Sequence, residues 1–384
     1  MIRARERLLL SLRHREPDRV PLDLGSTQVT GISVPAYISF RRWLGMPSGR
    51  VSISDGIQQL AAPDEDLLCR LGVDTRGLWA RTSHSWPFRD TDDGRYLSHR
   101  DEWGLTYQRD KEASLWYDLV VHPLAGGDLS SDLIASHNWP FGGDPSRFRN
   151  LREKATAFRK AGYAVVMKSV CAGLLEMAIR LRGMEAFLTD LLLNRKEAEA
   201  LIDRILQVKI EFWERGLSEV GDLVDIIAEG DDYGTQQSQL VSPAMFKDIF
   251  KPRQAELIDF VKKRAPHAYF FFHSCGNVRP LLPDFIEIGI DIVNPVQTSA
   301  PGMAASQLKQ DFGTDLVFWG GGVDTQEILP RGNPEQVRDD VRRRLDILAP
   351  GGGFVFCTIH NIQADVPPEN IIAMYETLEE FGRY

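Results

Sequence analysis

The feature that most constrains this chain is an alternation of short, almost continuously apolar runs with longer helical segments. Eight such runs stand out: Val20–Leu24, Val73–Leu78, Tyr163–Lys168, Val224–Glu229, Ala268–His273, Ile290–Asn294, Asp315–Gly320 and Gly353–Thr358. Runs such as AYFFF and GFVFC lack the polar alternation of a half-exposed strand, so they read as parallel strands buried on both faces. Helix signals fall between them. Asp144-Pro145, Ser242-Pro243 and Asn333-Pro334 each pair a capping residue with a first-turn proline, and Gly162 ends the helix before the third run. Eight strands with intervening helices predict an α/β fold, a (β/α)8 TIM barrel. A doubly wound open sheet is the alternative, but no strand–Gly-x-Gly-x-x-Gly–helix unit supports dinucleotide binding.

One stretch departs from the alternation. Residues 83–124 are rich in Trp, Tyr and charge and contain an Asp93-Gly94 turn signal. They read as a β-hairpin inserted after strand two, covering the barrel mouth or forming an oligomer contact, a homodimer included. Residues 1–384 are otherwise expected to make a single barrel domain. The 384-residue chain carries a formal net charge of −9, which argues against a nucleic-acid partner. It has no apolar run long enough for a membrane span, and its arginine-rich start lacks the apolar core of a secretory signal. A cytoplasmic location is the expectation, and there the cysteines Cys69, Cys171, Cys275 and Cys357 are not expected to pair as disulfides.

In such a barrel, chemistry gathers at the C-terminal ends of the strands. Strand four ends in Glu229, followed by Asp231 and Asp232. Strand five ends in His273-Ser274-Cys275, strand six at Asn294, and strand eight in Cys357, with His360 three residues later. Residues two apart in extended chain point the same way, so His273 and Cys275 can share a partner. With Cys357 they form a soft site suited to Zn²⁺, leaving a fourth position for Glu229, water or substrate. The competing readings are buried core cysteines and a Cys-His nucleophile pair. Asp231 and Asp232 read as metal or substrate groups or as loop caps, and His360 as a substrate contact. Cys69 and Cys171 read as core.

Several segments resemble the uroporphyrinogen decarboxylase-like superfamily of (β/α)8 barrels: RERLLLSLRHREPDRVPLDLG near the start, DEWG at 101–104, EGDDYGTQQSQLVSPAMFKDIFKP at 229–252, FFHSCGNVRPLLPDFIEIGIDIVNPVQ at 271–297 and GGGFVFCTIHNIQADVPPENIIAMYE at 351–376. The decarboxylases carry an R-Q-A-G-R type loop that pairs with substrate acids. Here residues 21–40 read PLDLGSTQVTGISVPAYISF, without an arginine. The pattern is closer to corrinoid-linked methyltransferases, including methylcobamide:coenzyme M methyltransferases, which hold zinc through His-x-Cys and a later Cys. That resemblance implies a zinc site at His273, Cys275 and Cys357, with Glu229 as acidic ligand, and catalytic roles for Glu229, Asp231, Asp232 and His360. It also implies a methylated corrinoid supplied by a separate corrinoid-binding protein, because the chain has no Asp-x-His-x-x-Gly motif of its own. The methyl acceptor would be a small molecule, a thiol or similar. A porphyrinogen decarboxylase and a non-catalytic ligand-binding barrel are the alternatives.

Overall fold

The computed structural model describes residues 2–47, 49–83 and 90–384. A short antiparallel pair, β1 (Ile53–Asp55) and β2 (Leu60–Ala61), precedes the first long barrel strand, β3 (Thr75–Leu78). Four strands follow as an insertion: β4 (Asp90–Asp92), β5 (Tyr96–Arg100), β6 (Thr106–Asp110) and β7 (Asp118–Val121). The remaining barrel strands are β8 (Ala164–Lys168), β9 (Ile226–Gly230), β10 (Tyr269–His273), β11 (Ile292–Asn294), β12 (Val317–Trp319) and β13 (Phe354–Val355). The sheet β13-β12-β11-β10-β9-β8-β3 is parallel throughout, with helices between successive strands.

The eighth position of the ring is filled by residues 20–24, which pair on both sides without forming a regular strand. Leu22 bridges Phe356 in parallel; Phe356 N–H donates to the Pro21 carbonyl (2.8 Å) and Asp74 N–H to the Leu22 carbonyl (2.9 Å). Pro21 has no N–H to give, which breaks the ladder at its centre. The fold is thus a TIM barrel, as the alternation predicts. The insertion, by contrast, exceeds a hairpin. It is a four-stranded antiparallel sheet, β4-β5-β6-β7, whose first turn is the expected Asp93-Gly94 corner. Residues 84–89 of the expected insertion, His84 among them, lie outside the described residues.

Strand alternation sorts the core into two layers. Ala164, Val166, Ile226, Ala228, Phe271, Ile292, Val317, Trp319, Val355 and Cys357 form an axial cluster inside the barrel. Leu8 and Leu12 of the N-terminal helix Ala4–Leu12 join it and close the end remote from the strand C-termini. The intervening strand residues, such as Val165, Ile227, Phe272 and Phe318, pack outward against the helices. The longest helix, Arg195–Val220, buries Leu201, Ile205, Val208 and Phe212 at helical spacing, and Lys209 and Trp213 share that inner face. No helix among the described residues is long and apolar enough to cross a membrane.

Candidate metal centre at the barrel mouth

Along β10 the inward positions are Tyr269, Phe271 and His273, and Cys275 continues the series just past the strand end. The His273 ring is fixed by a relay across three neighbouring strands. Asn294 Nδ2 donates to the Trp319 carbonyl (2.7 Å), which turns Asn294 Oδ1 toward His273 Nδ1 at 2.6 Å. Nδ1 therefore carries a proton, and Nε2 faces the mouth. Gly230 pairs with His273 across the sheet, and a Cβ there would lie 2.8 Å from His273 Cβ, so glycine makes room for the ring.

Cys275 Sγ lies 3.4 Å from His273 Nε2. The Cys275 N–H donates to Asp232 Oδ1 at 2.7 Å, and the same oxygen is 3.6 Å from His273 Nε2. The His360 ring centroid is 5.7 Å from that of His273. One donor atom each from His273, Cys275 and His360 lie within 4.8 Å of one another. Burial, then its neighbour His273, pulls the His360 pKa down to about 4, so its imidazole is neutral at pH 7. Burial, followed by the negative charges of Asp232 and Glu176, pushes the Cys275 thiol up. An imidazole with Nε2 turned to the mouth, a second imidazole that is neutral at pH 7 and a thiol that needs a cation to ionise are a donor set that fits a zinc ion.

The other expected site residues are placed differently. Cys357 faces the axis, with its Sγ on the Thr358 carbonyl at 3.3 Å, and does not join the three-donor group. Glu229 points outward. It accepts from Ser169 Oγ (2.7 Å) and Trp213 Nε1 (2.5 Å) and pairs with Lys209 Nζ at 2.8 Å. Asp231 is fully buried and accepts from the Leu175 and Glu176 N–H groups at 2.9 and 3.0 Å, capping the helix Leu174–Arg182. Burial and then the charge of Glu176 push its pKa up to about 7. Asp232 faces the mouth. Cys69 is exposed and remote from the mouth residues, whereas Cys171 is half-buried and borders the mouth cavity.

That cavity has a volume of about 470 Å³ and brings His273, His360 and Asp232 into one chamber. The insertion supplies part of its wall, through His99 and Tyr107 of its strands and the Asp101–Trp103 loop between β5 and β6. Residues 21–40 contribute only Gln28 and Val29. Lys168, Glu176 and Arg180 also line the chamber and were not singled out from the sequence. The available signal was the lone charge ending the apolar run AVVMK.

The uroporphyrinogen decarboxylase (URO-D) family model matches residues 144–381. The chain belongs to that family. The URO-D match spans β8 to the last helix and so includes every residue of the three-donor cluster. Among solved structures, a methyltransferase from Methanosarcina mazei aligns over 99% of this chain and 99% of its own, at 18% identity and a TM-score of 0.63. The native xylanase 10B from Thermotoga maritima aligns over 61% of this chain and 80% of its own, at 11% identity and a TM-score of 0.39. Comparison with curated proteins gave no match.

Proposed function

We propose that this URO-D family chain is a zinc-dependent methyltransferase, acting as one domain over residues 1–384. It would move a methyl group between a corrinoid on a separate protein and a small-molecule thiol or similar acceptor. The observation that carries this reading is the His273, Cys275 and His360 cluster at the C-terminal strand ends, where this fold does its chemistry. The overall likeness to the M. mazei methyltransferase supports it. Porphyrinogen decarboxylation is the weaker reading, since the segment from 21 to 40 offers the cavity no arginine.

His273 and Cys275 would hold the ion, with His360 as third donor. Cys357 is the competing third donor and would have to swing its Sγ from the Thr358 carbonyl. Bound there, zinc would supply a Lewis acid that keeps an acceptor thiol ionised at neutral pH. The protein's own groups prepare the rest. Asn294 holds the His273 proton on Nδ1. Asp232 anchors the Cys275 backbone and is the base facing the chamber that can take the acceptor's S–H proton. Asp231 fixes the Leu174–Arg182 helix, which carries Glu176 and Arg180 to the chamber wall. The fourth metal position falls to substrate, because the Glu229 carboxylate is held by Lys209.

Elemental analysis and turnover with methylcobalamin test the reading together. The expected result is about one zinc per chain and thiol-dependent loss of the methyl–cobalt absorbance. Protein that neither contains zinc nor takes it up would overturn it.

A further inference from the structure

Cys171 lies in the short loop between β8 and the helix Leu174–Arg182, outside the three-donor cluster. Its half-buried thiol borders the mouth cavity, so small molecules can reach the sulfur. On its other side the buried Lys209, from the helix Arg195–Val220, places its Nζ 3.8 Å from Cys171 Sγ. That amine is clamped. It pairs with Glu229 Oε2 at 2.8 Å and donates to Ser169 Oγ (3.1 Å) and the Ala172 carbonyl (2.9 Å). Ser169 and Ala172 flank Cys171 in the chain, so the nitrogen is held against the sulfur from both directions. Glu229 Oε1 is occupied separately, by Ser169 Oγ and Trp213 Nε1.

An amine and a thiol in contact, one of them open to a cavity, can be joined by oxidation. A direct S–N bond would pull Lys209 away from its three oxygen partners. An inserted oxygen atom spans more of the gap and lets the nitrogen stay near them. Burial pushes the Cys171 pKa up to about 11, with the charge of Lys209 opposing, so thiolate is scarce at neutral pH and oxidation is slow.

We propose that Cys171 and Lys209 form a redox-sensitive pair, which hydrogen peroxide entering the mouth cavity joins through a single oxygen atom. In the first step the peroxide O–O bond breaks, the sulfur is oxidised to a sulfenic acid and water leaves. In the second, the sulfenic O–H and two N–H bonds of the ammonium break and an O–N bond forms. Three protons leave. One passes to Glu229 Oε2 at 2.8 Å. The other two, with the two electrons lost by the nitrogen, reduce a second peroxide to two waters. The buried ion pair becomes a neutral S–O–N link beside a protonated Glu229. The link ties the loop after β8 to the long helix, and so restrains the start of the Leu174–Arg182 helix. It needs neither metal nor methyl donor, and stands apart from the proposed transfer reaction.

The test is tryptic peptide mass spectrometry of the full chain after treatment with hydrogen peroxide, digested without reductant. The peptide 169–180 should appear joined to 205–215, with Lys209 uncleaved, one oxygen gained and two hydrogens lost relative to the two peptides apart. Because the thiolate is the reacting form, the joined species should build up roughly a hundredfold faster at about pH 9 than at about pH 7. Excess dithiothreitol should separate the peptides again, returning thiol, amine and water. Lys209→Arg keeps a positive charge for Glu229 and should abolish the link. Cys171→Ala should abolish it without touching the ion pair, and so keeps the test open if Lys209→Arg fails to fold. Cys171 oxidised while Lys209 stays free, a link that lacks the oxygen, or a joined species that survives in Lys209→Arg would overturn the proposal.

Discussion

The neighbouring strands β9 and β10 place their last polar side chains on opposite sides of the same sheet. Glu229 pairs in register with Phe272, and both face the outer helices; Gly230 pairs with His273, and both face the axis. One residue of offset sends a carboxylate into an ion pair with Lys209 and an imidazole into the mouth. Parity along the strand, more than nearness to its end, decides which residue can meet a substrate. The outward Glu229 is thereby tied into the packing of the helices, while the inward His273 faces the mouth, where the proposed chemistry would take place.

The comparison breaks most sharply if the two strand ends are altered in turn. Cys275→Ala should lower zinc affinity by about a thousandfold, since a structural site spreads roughly 10–16 kcal/mol over its donors. Metal analysis after dialysis checks this, with little change in the unfolding midpoint of the metal-free protein. Glu229→Gln should do the opposite. It leaves Lys209 buried without its counter-charge, at a cost of about 3–5 kcal/mol by denaturant unfolding, while zinc content stays near that of the wild type. Loss of zinc in Glu229→Gln with stability unchanged would place Glu229 among the ligands after all. Asn294→Leu removes the acceptor that orients His273, and should weaken zinc binding by about 10–100-fold.

The smallest effect concerns the insertion, where burial pushes the Asp101 pKa up to about 7. A carboxyl whose folded pKa lies above its unfolded value favours the fold below the unfolded pKa, and that contribution is lost as pH rises toward 7. The contribution of Asp101 to stability should therefore fall between about pH 4 and pH 7. Asp101→Asn should flatten that slope, as unfolding curves at three pH values would reveal.

How much of this was legible in the sequence follows from the same parity. His-x-Cys declares its own geometry, because two residues of extended chain return to one face. The run DIIAEGDD does not, since its apolar residues are buried on both faces and give no clue as to which face Glu229 shares. The barrel itself was readable from alternating runs, although Pro21 reduces the first to a broken ladder. His360 joins the cluster from a loop after β13, where no periodicity applies, and its grouping with His273 became visible only once the chain had folded. The insertion's four strands were hidden by their charge and short length.

The relay from the Trp319 carbonyl through Asn294 to His273 also bears on the protons of the cluster. The relay keeps a proton on His273 Nδ1 and turns Nε2 to the mouth, and burial keeps the His360 imidazole neutral at pH 7. The Cys275 thiol, held protonated by burial, must lose its proton for an ion to bind. Ionisation of that thiol would release one proton per ion, and by itself would make affinity rise about tenfold for each unit of pH. A single amide, held in one orientation by a neighbouring strand's carbonyl, thereby decides which ring nitrogen an incoming ion would meet.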